Sequence, residues 1–384
     1  MESYLKDKKN LYSVIYEFIK NSEDEYDDEL CKEYFEKLSA IIQSQQIEKY
    51  KEEMVQFLEI IKSIGDYHHR SQHFQERINH ILLHYKDGIK QKLSNDEIFH
   101  IYKSNKQIVL FLIKNDIIQI TEPIYKEIIN TIEPNGNYYC LFFIPEIEKF
   151  LNEDQMKFLK SALLKKNPNF FDNYEQKRQE GENESYICSL IRKDLVEDFI
   201  TYVNRNNISP SSQIPVSLFE TNPFLIEETT LIEYSAFCGS IQILQYLTTN
   251  TNDLSSSLWL YAIQSNNAEM INFLETNSIS PPQSNKSTND YFQCFIESIK
   301  CHHNEIADYI KNNFLSQNKI DEKEKEEIIS NSIKYHNYSY FQFDLIKDYG
   351  FFHLRYYGYK KWFVNLYKMK ENEIKKKAIL KTKI

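Results

Sequence analysis

Residues 231–247 and 258–274 carry the same pattern twice, offset by 27 residues. Superposed, Leu231 meets Leu258, Tyr234 meets Tyr261, Gly239 meets Asn266, Ile243 meets Met270, Leu244 meets Ile271 and Leu247 meets Leu274. A constant offset of this size is the mark of a fold made by stacking small units, each burying its apolar face against its neighbours.

The repeated pattern predicts a helical hairpin. Leu231, Tyr234, Ser235 and Cys238 form one stripe of a helix of about two turns. Gly239 then ends the helix, because a residue just past a helix often needs positive φ. Ser240 is a good N-cap for a second helix whose stripe is Ile243, Leu244 and Leu247. The turn position can be followed as Asn105, Gly239, Asn266, His302 and His336, residue types that tolerate or are enriched in left-handed backbone. A third unit places Ile296, Ile299, Ile306, Ala307 and Ile310 in register at an interval of 36, and a fourth places Ile329, Ile333, Tyr340 and Phe341 at an interval of 34. The extra length precedes the third unit, in residues 275–290, where Ser280-Pro281-Pro282 marks a loop insertion. The short interval between 247 and 258 predicts little or no β-hairpin there.

These residues carry a resemblance. Thr230 followed by an apolar residue, the small pair Ser235-Ala236, Gly239 and the paired aliphatic ending resemble the ankyrin core pattern, with Leu231 at the family's Pro and Glu233 at its His. Ile187-Cys188-Ser189-Leu190-Ile191-Arg192-Lys193-Asp194, Phe219-Glu220-Thr221-Asn222, Leu231-Ile232-Glu233-Tyr234 and Trp259-Leu260-Tyr261-Ala262-Ile263 resemble the divergent ankyrin-like domain of an expanded trichomonad protist family, a domain of unassigned function. The resemblance spans about 185–313 plus the unit near Asn105, and it implies an all-α helical solenoid of ankyrin-like helix-turn-helix repeats.

Before the repeats, residues 1–122 contain no proline, and Leu11, Ile15, Phe18, then Leu30, Tyr34, Leu38, Ile41, then Met54, Phe57, Leu58, Ile61 recur at helical spacing. Ile98, Ile101, Tyr102, Asn105, Val109, Leu110 and Ile113 read as one further ankyrin-like unit. The polar stretch 167–185 is the best boundary. The expected organisation is an N-terminal helical region over 1–180 with that unit near 95–114, a repeat domain over 181–345, and terminal capping helices with a basic tail over 346–384. The lysines at 375–377, 381 and 383 suit a localisation signal or a solvated end.

Chemistry is sparse. Seven glycines, none in a G-x-G-x-x-G arrangement, leave no phosphate-binding loop, and neither H-E-x-x-H nor G-x-S-x-G occurs. Cys294 falls at an apolar core position and His302 at the turn, so structural roles account for both. A net charge of −10 argues against wholesale nucleic-acid binding, which needs a basic face. Scattered cysteines and the absence of long apolar runs or an apolar N-terminal core predict an intracellular, reduced, soluble chain, cytoplasmic with the nucleus left open by the lysine-rich end.

Two function classes follow. The first is a non-enzymatic protein-binding scaffold without cofactor, using the first helices and loop tips of the repeats: Glu233, Phe237, Leu260, Gln264 and Glu297, off the main stripe and expected to be exposed, with Asn252 and Asp253 at a loop tip. Phe237 would either anchor a partner or pack on the neighbouring unit. The second is a divergent enzyme or metal-binding protein using His69, His73, His80 and His84, which with Glu76 fall within an arc of about 80° on a helix. The apolar residues Phe74, Ile78, Ile81, Leu82 and Tyr85 occupy the opposite face, so that stripe equally suits a solvated surface.

Overall fold

The computed structural model describes residues 2–20, 28–67, 72–131, 139–166, 171–225, 228–251, 254–283, 289–315 and 320–340. Among them every regular element is helical, and extended pairing is confined to one isolated bridge between Gln213 and Thr230. The first ten α-helices are α1 (Glu2–Lys20), α2 (Asp28–Ser44), α3 (Lys51–Tyr67), α4 (Gln72–His84), α5 (Lys86–Lys92), α6 (Asn95–Tyr102), α7 (Lys106–Lys114), α8 (Glu122–Asn130), α9 (Ile144–Ile147) and α10 (Glu153–Lys166). They are followed by α11 (Tyr174–Glu180), α12 (Tyr186–Arg192), α13 (Val196–Arg205), α14 (Leu231–Cys238), α15 (Ile241–Thr249), α16 (Leu258–Gln264) and α17 (Ala268–Thr276). The last three are α18 (Phe292–Lys300), α19 (Asn304–Ile310) and α20 (Glu322–Lys334). No helix of the described residues is long and apolar enough to cross a membrane.

The chain forms two compact units, one of residues 48–66 and 70–280, the other of 1–47, 67–69 and 281–384. This grouping differs from the sequence-based boundaries at 180 and 345, because the N-terminal helices α1 and α2 fall in one unit with α18–α20. Residues 341–384, with the expected capping helices and basic tail, lie outside the described residues.

In the 48–280 unit, α12 with α13, α14 with α15 and α16 with α17 are helical hairpins. The first helices lie side by side, α12 on α14 and α14 on α16, and α13 packs on α15. The turns explain the sequence pattern. Gly239 (φ 74), Asn266 (φ 52), His302 (φ 60) and His336 (φ 55) are all left-handed, as expected. In the first hairpin that role falls to Asp194 (φ 49), which spacing alone did not reveal. At Gly239 the N–H groups of Gly239 and Ser240 reach back to the carbonyls of Ala236 and Ser235, satisfying the last carbonyls of α14. Asp194 with Leu195, and His302 with His303, repeat the arrangement.

Asn105 is a correction. Its backbone is extended (φ −118, ψ 94), and it N-caps α7 by accepting a hydrogen bond from the Ile108 N–H. Its amide also donates to Asp66 Oδ1 at 3.0 Å, which replaces a turn role with a capping one.

At two hairpins a side chain reaches back to the one before. The residue after the left-handed turn donates to a carbonyl in the preceding hairpin's first helix: Ser240 Oγ to the Ile191 carbonyl at 2.5 Å, and in the other unit Asn337 Nδ2 to the Ile299 carbonyl at 2.9 Å. Ile243, Leu244 and Leu247, at the expected stripe of α15, are at most 1% exposed.

The unit containing α1 and α18–α20 has its own tyrosine-rich core. Tyr12 Oη lies 3.0 Å from His302 Nδ1, and Tyr16 donates to the His302 carbonyl at 2.6 Å, so two rings seal that left-handed turn. Burial, with Tyr16 alongside, pushes the Tyr12 hydroxyl well above its usual range.

Candidate functional site

The segment between α13 and α14 is irregular, yet it is closely fastened. Its two arms pair where the Ile214 N–H donates to the Thr229 carbonyl at 2.8 Å and the Leu231 N–H to the Ser212 carbonyl at 2.9 Å. Between the arms the chain makes an excursion stabilised by short polar side chains. Ser217 Oγ accepts from the N–H groups of Phe219 and Glu220, and Asn222 Oδ1 accepts from Phe224. Ser217 in turn donates to Glu184. The buried Glu220 carboxylate accepts from the N–H of Asn183 at 3.2 Å and of Asn222 at 2.8 Å. Asn183 Nδ2 donates to the Pro215 carbonyl at 2.6 Å, and the Thr221 hydroxyl to the Gly181 carbonyl at 2.9 Å. Lys106, nearly fully buried, donates to the Leu218 carbonyl at 2.9 Å.

This excursion lines an open cleft of about 820 Å³ together with Asn183 and Tyr261. Phe224 and Tyr261 form its aromatic wall, their rings edge to face with centroids 4.6 Å apart. Val216, 70% exposed, stands at its edge with Pro215 and Pro223. Among the described residues, the charged side chains lining the cleft are Glu220 and Glu228, both carboxylates. It therefore offers ring faces, apolar surface, hydrogen-bond acceptors and negative charge.

The residues singled out from sequence lie elsewhere. Phe237, one of the two alternatives for which was exposure, is 7% exposed and stacks on Phe224 and Tyr234 at centroid distances of 6.4 Å. It backs the aromatic wall of the cleft. Gln264 and Glu297 were expected on the surface but are 2% and 7% exposed. The reason is shared: each lies on a first helix packed by more than one neighbour, Phe237 on α14 against α12, α15 and α16, Gln264 on α16 against α14 and α17, and Glu297 on α18 against α19 and α20, so more than one stripe is covered. Glu297 accepts from Lys300 at 3.0 Å. Glu233 is half-buried and closes a capping box, accepting from the N–H and hydroxyl of Thr230 at 2.9 and 2.8 Å, while its other oxygen accepts from Ser257 at 2.6 Å. Leu260 is half-buried, and Asn252 and Asp253 lie outside the described residues.

Of the histidine stripe, His69 lies outside the described residues, as does the side chain of His73. His80 is half-buried on α4 and His84 is exposed. Among the described residues no group of three or more His, Cys, Asp or Glu is placed to hold a metal ion. Burial pushes the Cys140 thiol up to about 11 and the Cys188 thiol up to about 12, which keeps both protonated at neutral pH.

Sequence reasoning missed the cleft and the buried Arg178. The Asn222-Pro223 and Ser209-Pro210 pairs marked turns, but nothing in their spacing signals a cleft. Arg178, fully buried, pairs bidentately with Glu146 at 2.6 and 2.9 Å, reaches Glu175 at 2.5 Å and donates to the Phe142 carbonyl at 2.8 Å. Its partner Glu146 lies 32 positions away, beyond any local pattern. Comparison with protein-family models, with curated proteins and with solved structures found no match.

Proposed function

We propose that this chain is a non-enzymatic protein-binding scaffold whose helical hairpins stack as ankyrin-like repeats, and that it holds its partner at the cleft between Val216 and Tyr261. Support for the repeat reading comes from the four left-handed turns at Gly239, Asn266, His302 and His336 and from first helices lying against one another. The observation that carries the binding reading is the cleft itself. It is of ligand-binding size, with an aromatic wall and exposed apolar edge, and it is held open by a network of backbone and side-chain hydrogen bonds. A preformed cavity of this kind binds without first ordering its walls, which lowers the entropic cost of association. The negative net charge favours a protein partner over nucleic acid, and the setting is intracellular.

The test is affinity capture with the parent chain and with a Val216→Ser/Glu228→Lys variant, both changes at exposed positions. A specific partner should be captured by the parent and lost by the variant, with the two chains unfolding at the same denaturant concentration. Undiminished capture by the variant removes the cleft as the binding site.

A further inference from the structure

We infer that the cleft takes a lysine or arginine side chain presented by an extended segment of the partner. This rests on the reading of the cleft as the binding site and adds the chemistry of its occupant.

The charges come first. Among the described residues that line the cleft, the charged side chains are Glu220 and Glu228, and none is a lysine, arginine or histidine. Glu220 is 3% exposed, and two backbone N–H groups fix its carboxylate in place. Glu228 is exposed and has no ion-pair partner among the described residues. The neighbouring Arg192 does not line the cleft, and it donates to the Asn183 carbonyl and pairs with Glu182 at 2.8 Å. A cation entering the cleft therefore meets carboxylates and no competing positive group among the described lining residues.

The walls then select what carries the cation. Phe224 and Tyr261 offer ring surface to an ammonium or guanidinium, which aromatic faces attract. Pro215, Val216 and Pro223 give the aliphatic stem of a long basic side chain an apolar surface to lie along. A volume of about 820 Å³ exceeds what one such side chain fills, leaving room for neighbouring residues of the same segment. An acidic segment would meet Glu220, Glu228 and the overall charge of −10.

The experiment uses the full chain and a positional-scanning library of fluorescent hexapeptides, read by anisotropy in low salt. Pools with Lys or Arg fixed at one position should bind at least tenfold more tightly than pools with Glu fixed there. Glu228→Lys should reduce that binding at least tenfold while leaving the unfolding transition in place. Spermidine, tested alone as a free polyamine, should compete far more weakly than the best peptide pool. Equal or tighter binding of Glu-fixed pools, or basic pools that bind the Glu228→Lys chain unchanged, overturns the inference. So does spermidine binding as tightly as the best peptides, which would assign the cleft to a free amine. If no pool binds but the cleft variant still loses its captured partner, the basic-segment inference fails and the binding site stands. If capture also survives the variant, both fail.

Discussion

The carboxylate of Asp194 accepts hydrogen bonds from the backbone N–H groups of Gln242 and Ile243, at 3.1 and 3.0 Å, so the turn of one hairpin caps the second helix of the next. The first N–H groups of α15 have no partner within the helix, and Asp194 supplies one from 48 or 49 positions away. Its own backbone is left-handed, which Asp and Asn tolerate better than most residues. Asp194→Asn keeps an acceptor and the turn, and should change stability by less than about 1 kcal/mol, whereas Asp194→Ala should cost about 1–2 kcal/mol through the lost cap. Urea denaturation of the two variants decides it, and equal midpoints would contradict the capping role.

Asn266 is exposed with φ 52, so its side chain contributes little beyond tolerance of that backbone. Asn266→Gly should be neutral or mildly stabilising. Asn266→Val should cost about 1–2 kcal/mol, because a β-branched side chain is crowded in the left-handed region. A Val variant as stable as the Gly variant would show that the turn is not strained.

The Arg178–Glu146 pair joins elements that share no local pattern. Glu146→Ala leaves a fully buried guanidinium with Glu175 as its remaining carboxylate, and should cost about 3–5 kcal/mol. Arg178→Met with Glu146→Leu removes both charges and should regain much of that loss. A double-mutant cycle in urea measures the coupling, and additive single effects would mean that the two side chains do not act as a pair.

Glu97 gives a pH prediction with a definite sign. Its hydrogen bond with Lys51, then that with the Ser94 N–H, holds its carboxyl down to about 2 from the ordinary 4.5. A carboxyl depressed on folding contributes stability that is complete above the ordinary value and is lost as pH falls through about 2. Glu97→Gln keeps the capping-box geometry and removes the charge. The parent should therefore exceed the variant in urea midpoint at pH 7, and the gap should close on acidification between about 4.5 and 2. A gap that is the same at both ends would place the effect in packing. The pair is exposed, so solvent screening keeps the difference small.

What the sequence determined by itself is local. Helical stripes such as Ile243, Leu244 and Leu247 repeat within two turns, and the left-handed turns at Gly239, Asn266, His302 and His336 follow from which residues bear positive φ. Both signals are written within a few positions of where they act. Tertiary structure decided the rest. Phe237, Gln264 and Glu297 sit off the main stripe, but they are buried because neighbouring helices cover the flanks of their own, and no single helix's periodicity contains its neighbours. Asn105 shares the spacing of a turn residue, yet Asp66, 39 positions earlier, and the Ile108 N–H hold it as a cap. The cleft arises where Asn183, Pro215, Glu220, Phe224 and Tyr261 are brought together by hydrogen bonds between irregular segments. Such bonds have no period, so the cleft exists only once the chain has folded.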